Sequence, residues 1–582
     1  MSEEAARGAL TLDPANRAAA LACLGDVLND RGRWQEAHGA YQESFAEKPD
    51  QPIVYSALAG ICLTSGKLEE ELDLADHACD SAPGLTPLRI TRAQVLEQLG
   101  RADEAFNELS LAFRVASRDV ETIVALVEFV ARQGLHGDRR DCETAVLVAF
   151  RAGCMDGRRL AEAAVVIVAA KYDLAAEGAG IDGGTLGLLS EDELFIRLLQ
   201  ECVNCHPGIE SFCIELRRKI LSDYQGSEEL PTAVARLAAA LALQNHMNGY
   251  FAWTGAEEEA SVAAEDRRLG EFVRTSQSSV TGAARVALLL YAMYRPLVAR
   301  NDSDRLVDLP FGGEAGRLIL LTVREARELA AEAARIETAS ASHGAPKTAD
   351  AAVFPWPHIA LPQPGSLMSY LRRRVQGFAP PAWSAEACDI LFPYCGSGRE
   401  AVSMALPACR IQAVDPCPQA LAYGARRALK LGAGNIAFAT AVAAEGQYQF
   451  IDAWRRDTGE PLVALARLLA PGGLLRLNLA AKERAATLQS GLEIGARQAQ
   501  GSLRLARREI ARSGDTACDF LRQQPEFYDL GGCFSLIAEA ERGGSSADAL
   551  AETLLQAGLR MVGQIAPAES GGMFRLLCQR VE

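Results

Sequence analysis

The chain has 582 residues, of which 49% are hydrophobic and 23% charged, with a mean hydropathy of +0.02. That is too long for one compact domain and too apolar for wholesale disorder, so a globular protein of roughly two to four domains is expected. Fifty-nine Lys and Arg face 75 Asp and Glu, a net charge of −16, which disfavours a partner held through phosphates. No nucleic acid and no anionic membrane surface is therefore expected as partner. Residues 1–120 carry 11 basic and 20 acidic residues, so a neutral or basic partner suits that end best.

The acidic N-terminus is followed by no apolar segment, which predicts no export signal. Apolar runs such as Ala163–Ala170 and Val286–Tyr294 fall short of the roughly 20 residues of a membrane span. Fifteen cysteines are scattered singly, reading as small buried residues rather than a disulfide framework. A cytoplasmic location follows as the expectation.

In chain order, the first feature is a repeat. Gly32, Gly66, Gly100 and Gly134 are 34 residues apart, and Leu24/Leu58, Ala37/Ala105 and Pro49/Pro83 keep the same columns. Each unit gives an apolar-periodic helix, a glycine turn, a second helix with small residues (Ala75 and Ala78, Ala105 and Ala112), and a closing proline. Small residues let paired helices approach closely, and stacked hairpins bury what a single one cannot. The pattern resembles the tetratricopeptide repeat, with Leu24-Gly25, Ala37, Tyr41 and Pro49 in its signature positions over residues 10–135. The resemblance implies an array that binds a protein or peptide segment.

Residues 138–336 read as a helical middle domain following the array at 1–137. Long apolar-periodic stretches run over Leu194–Leu221, Thr232–Tyr250 and Gly316–Ile336, with joints at Glu177–Gly187 and Thr254–Asp266. A linker is expected over 337–357, ending in Phe354-Pro355-Trp356-Pro357. From 358 to 582 the period changes. Strands are predicted at Cys388–Pro393, Arg410–Val414, Asn435–Ala439, Gln447–Asp452 and Leu474–Leu479, with helices between and a hairpin of Leu559–Ile565 and Met573–Cys578. This alternation predicts a doubly wound, mostly parallel α/β sheet. The fold class is thus a multidomain α + α/β chain.

The chemistry-bearing residues lie at the first strand–helix turn. Gly396-Ser397-Gly398 separates a strand from a helix, and Asp415 tips the next strand. Bare backbone after the first strand admits a ligand, and a carboxylate on the neighbouring tip can accept ribose hydroxyls. A dinucleotide fingerprint would need a further glycine where Glu400 and Ala401 stand. Ile390–Gly398 resembles instead the first motif of class I S-adenosylmethionine-dependent methyltransferases. Asp415 matches their acidic second-strand tip, and Leu468–Gly473 their proline-glycine turn before the fifth strand.

Taken with the array, the whole chain resembles a bacterial family of repeat-bearing methyltransferases, including segments at Gln244–Phe251, Gly473–Ala480, Asp519-Phe520, Phe527–Leu530 and Leu555–Gly563. The resemblance implies a Rossmann-like methyltransferase domain with S-adenosylmethionine as cofactor, held by Tyr394, Cys395, Gly396, Ser397, Gly398, Asp415 and Pro416. It implies methyl transfer to a protein or peptide recognised by the array. The departures suggest the alternative, a catalytically inactive methyltransferase-like scaffold. Tyr394 replaces the first glycine of the turn, and Phe392 an acidic residue of the first strand. Ala439–Ala444 lacks the carboxylate for adenine, and Gly249 replaces a glutamate.

No catalytic residue stands out. Asp452 and Trp454 are candidates for lining a substrate pocket, as are Tyr528 and Asp529. Cys202-Val-Asn-Cys205-His206 matches a c-type haem attachment pattern, but attachment requires export and the stretch lies in a helical run, so it is read as chance. No metal ligand set is evident. Basic residues over Lys482–Arg512 read as a solvated helix face.

Overall fold

A computed structural model describes the chain except residues 1–2, 13–15, 31–32, 49–50, 52–53, 56, 59–67, 173–180, 182, 277–278, 340–355, 360–366, 373–374, 376–377, 379–380, 382–387, 443–447, 454–461, 498, 500–501, 566–572 and 582. Gly32, Pro49, Gly66, Trp454, Ala443, Ala444 and most of the expected linker fall outside the described residues. Two compact units are formed. One comprises Met1–Ile167, Leu371–Arg373 and Gly377–Ala379; the other comprises Val168–Tyr370, Arg374–Gln376 and Pro380–Glu582.

The first unit is a series of antiparallel helices that keeps the repeat step. Helices start at Trp34, Leu68 and Ala102, and again at Thr86 and Val120, each pair 34 residues apart. Gly100 and Gly134 take φ of 75° and 86°, a region that residues with a Cβ rarely enter. Past Gly134 the next helix begins at Arg139, beyond the position the period would give, and the repeat fades there. Ala75, Ala78, Ala105 and Ala112 are buried where helices meet. Gly25 has a separate reason: a Cβ there would lie 2.5 Å from the Tyr41 ring. Tyr41 is buried, and its hydroxyl donates to Asp26 at 2.7 Å.

In the second unit, helices precede and cover a seven-stranded mixed sheet. The expected stretch Leu194–Leu221 is two helices, Glu193–Glu201 and Pro207–Tyr224. The chain breaks at Cys202–His206 because Pro207 opens a new helix, while His206 Nδ1 accepts from the Gly208 and Ile209 amides at 3.1 and 3.3 Å. The expected joint Thr254–Asp266 is mostly helix, within Ala256–Thr275. Glu257, Glu258 and Glu259 in its first turn suit the positive end of the helix dipole, and Glu258 Oε2 accepts from the Gly255 amide at 2.8 Å. Among the described residues no helix is long and apolar enough to cross a membrane.

The strands are β1 (Cys388–Pro393), β2 (Cys409–Val414), β3 (Ile436–Ala439), β4 (Tyr448–Ala453), β5 (Leu469–Ala480), β6 (Leu559–Gln564) and β7 (Met573–Arg580). Their order is β3-β2-β1-β4-β5-β7-β6, with β1 to β5 parallel and β7 antiparallel to both neighbours. The proline-glycine turn lies inside β5: Tyr448 pairs Leu469 but Phe450 pairs Leu474, so residues 470–473 bulge from the ladder. Leu391, Ile451, Leu475, Leu477 and Leu576 form the core over the central strands.

Gly25→Ala is expected to lower the stability of the first unit by about 1–3 kcal/mol, because the ring of Tyr41 has to move. Gly39→Ala, in a helix with open space at its Cβ position, is the control and should be neutral or mildly stabilising. Urea denaturation of both variants checks the contrast.

Candidate ligand crevice at the switch point of the sheet

Strand order reverses between β1 and β4, so the chain leaves the carboxyl ends of β1 and β4 toward opposite sides. In open α/β sheets a ligand crevice forms at that point. The turn after β1 occupies it. Tyr394, Gly396 and Gly398 all take left-handed backbone, with φ of 55°, 57° and 73°. Tyr394 holds this conformation at a cost of order 1–3 kcal/mol for a residue with a Cβ. Cys395 donates its amide to Val414 O at 2.8 Å, continuing the β1–β2 pairing into the turn.

The structure brings Gly396 and Asp415 together. Asp415 is 3% exposed, and its carboxylate faces its own backbone. Oδ2 accepts from the Gly396 amide at 2.8 Å and Oδ1 from the Cys417 amide at 2.9 Å. Pro416, between these bonds, is half-buried. The two glycines of the turn have different reasons. A Cβ on Gly396 would meet open space, whereas one on Gly398 would lie 2.7 Å from the Phe438 ring. Gly424 faces Ser397 O equally closely, at 2.7 Å from its own Cβ position. Gly398 and Gly424 therefore serve the packing of the turn on helix Pro418–Lys430.

Ser397 is covered from a direction that local sequence gave no reason to expect. Trp356 is 3% exposed, and its Nε1 donates to Ser397 O and Oγ at 3.1 and 3.0 Å. The indole stands edge-on to Tyr423 at 5.6 Å, and its amide donates to the Tyr423 hydroxyl at 2.9 Å. Burial pushes that phenol up to about 12. Phe392 is buried in β1.

Asp452, at the end of β4, does not face a substrate pocket as one of its expected roles required. It is buried against Arg476, its register partner on β5, with Nε to Oδ1 at 2.8 Å and a second bond from Nη2 to Oδ2. A lone arginine in the apolar run Leu474–Leu479 is the signal that could have exposed this pair. Asp529 caps helix Leu530–Arg542, accepting from the Gly532 amide at 2.7 Å. Tyr528 is buried, with its hydroxyl on Arg522 O at 2.9 Å.

The basic segment is a solvated face only in part: Lys482, Arg497 and Arg512 are exposed, whereas Arg484 and Arg507 are engaged inside the unit. It forms helices Lys482–Ala496 and Leu503–Arg512. Arg484 binds Glu539, and Arg507 is buried with Nη2 on Glu210 at 2.7 Å and Nε on Phe527 O at 2.8 Å. Its guanidinium lies 4.7, 5.2 and 5.5 Å from the rings of Phe527, Phe251 and Tyr528, distances that suit cation–π contact. The same junction explains Gly249: with φ of 74°, it would carry a Cβ 2.9 Å from Leu530 Cβ.

Within the haem-like spacing, His206 is a helix cap whose pKa burial lowers, keeping Nδ1 an acceptor. Cys205 Sγ lies 3.8 Å from Pro525 O. Among the described residues no group of three or more His, Cys, Asp or Glu is poised to hold a metal ion. A small pocket elsewhere in the unit is lined by Tyr528 together with Asn204, Arg217, Gln244, Asn245 and Asn248.

No protein-family model matches the sequence. No curated protein matches it either. Among solved structures, PKMT2 from Rickettsia typhi is similar over 36% of this chain at 14% identity and a TM-score of 0.28. Its complex with AdoHcy gives 35%, 15% and 0.27. This chain covers about half of those structures, 51% and 50%. A thermophilic TPR protein from Thermus thermophilus is similar over 26% of this chain and 79% of its own, at 22% identity and a TM-score of 0.22.

Arg476→Met leaves the Asp452 carboxylate buried without its cation and is expected to cost about 3–5 kcal/mol. The double variant Asp452→Leu/Arg476→Met should recover most of that loss. Denaturant unfolding of the single and double variants checks it.

Proposed function

We propose that the chain is a tetratricopeptide-type interaction protein whose C-terminal domain keeps a class I, Rossmann-like methyltransferase architecture but uses the cofactor crevice as structure. The helical array, residues 1–137, is then the part that engages a protein or peptide. The middle domain, 138–336, and the linker, 337–357, join it to the sheet domain, 358–582. The observation that carries this reading is the Asp415 carboxylate, whose two oxygens accept from Gly396 and Cys417 while almost none of its surface meets solvent.

The residues present do not fit S-adenosylmethionine well. A nucleoside needs free acceptors for its ribose hydroxyls and bare backbone beside its amino-acid end. Here the acidic tip holds its own turn, and Tyr394 stands at the first glycine position with its backbone in the glycine conformation. Trp356 occupies the polar atoms of Ser397, and Asp452 is committed to Arg476. Several positions where the family resemblance places a ligand contact are engaged by the protein itself, as at Gly396, Ser397 and Asp415, or substituted, as at Tyr394.

Active methyl transfer from S-adenosylmethionine to a bound protein is the second reading. It is favoured by the open space at the Gly396 Cβ position and by the reversal of strand order beside it.

Calorimetric titration with S-adenosylmethionine separates the two. The interaction-protein reading expects no saturable heat and no thermal stabilisation at millimolar ligand. It also expects Asp415→Ala to destabilise the ligand-free chain by about 1–3 kcal/mol, because the buried Cys417 amide and the half-buried Gly396 amide lose their acceptor. Saturable micromolar binding that Asp415→Ala weakens would overturn that reading in favour of the enzyme.

A further inference from the structure

Cys388 and Cys409 open the parallel strands β1 and β2 and are direct register partners. Their sulfurs are 3.1 Å apart, and both residues are buried. Adjacent strands lie about 4.7–4.9 Å apart, inside the roughly 4.4–6.8 Å between Cα atoms that a disulfide spans. The pair therefore needs only a small movement of the sulfurs to bond. Ala408 and Arg410, on either side of Cys409, are exposed, so a small solute can approach this end of the sheet. A hydrogen bond between the two sulfurs holds the Cys409 thiol below its usual value and raises that of Cys388. A sulfur biased toward thiolate is the one that attacks an oxidant.

We propose that Cys388 and Cys409 form a reversible disulfide when the protein meets a peroxide. The Cys409 thiolate attacks one oxygen of hydrogen peroxide. The O–O bond breaks, giving a sulfenic acid and, with the proton released from the thiol, one water. The Cys388 sulfur then attacks the sulfenic sulfur, and its proton leaves with the hydroxyl as a second water. Two thiols and one peroxide thus give one disulfide and two waters, the sulfurs losing two electrons and the peroxide gaining them.

The segment this bond closes runs from β1 through the turn Tyr394–Gly398 and helix Arg399–Ser403 to the start of β2. The crosslink would tie both ends of the loop that carries the crevice, restricting the unfolded chain over that stretch. The inference does not depend on whether the crevice binds an adenosyl ligand.

The test is a peptide map of the full chain, fully reduced, treated with hydrogen peroxide and alkylated without reductant. The expected result is a linked pair of peptides containing Cys388 and Cys409, lost on treatment with dithiothreitol and absent from Cys409→Ser. Oxidation should also raise the unfolding midpoint of the natural chain by a few degrees, but not that of Cys409→Ser. If both residues are recovered alkylated as free thiols while other cysteines oxidise, the proposal is overturned. Recovery of either as sulfinic acid, or linked to a different cysteine, overturns it as well. The map is read on the natural chain, so it holds even where a serine variant folds poorly.

Discussion

The constraint on which the C-terminal unit turns is a carboxylate that has no water to face. Asp415 lies at the tip of β2, 3% exposed. A buried charge must find hydrogen-bond donors or it destabilises the fold by several kcal/mol. Its donors are the amides of Gly396 and Cys417, so one side chain fixes the turn after β1 and the chain direction after β2. The left-handed backbone at Tyr394, Gly396 and Gly398 is the geometry that presents the Gly396 amide to it. Trp356 on Ser397 closes the turn from another side.

The same logic recurs through the second unit. Asp452 and Arg476 pair across β4 and β5, and Glu210 and Arg507 tie the middle helices to the segment between β5 and β6. Asp192 is buried and accepts from Tyr172 while pairing with Lys171. Such pairs add little net stability over apolar residues of equal size, but losing one partner is costly. They fix which strand lies beside which strand and which helix beside which helix.

Local and periodic features were legible in the sequence. The 34-residue step of helix starts, the strand positions, the turn at Gly396 and the antiparallel closing strands all follow from short-range pattern, because spacing and glycine conformation are short-range properties. What escaped has partners far away in the chain. The Arg507–Glu210 pair joins residues 297 apart, and Trp356–Ser397 joins residues 41 apart. Neither leaves a periodic trace, so Arg507 read as a surface residue and Trp356 as part of the linker. Local readings also failed where a cap decided the outcome. His206 divides one apolar run into two helices, and Glu258 begins a helix where glycine and charge suggested a joint.

Hydrogen exchange resolved at the Gly396 and Cys417 amides tests most directly whether the Asp415 carboxylate is structural. Bonding inside the folded domain predicts that both amides are protected in the ligand-free protein to the degree of the β1 and β2 ladder, with no change on adding S-adenosylhomocysteine. Exchange at the rate of open loop, with protection gained only when the nucleoside is present, would contradict it.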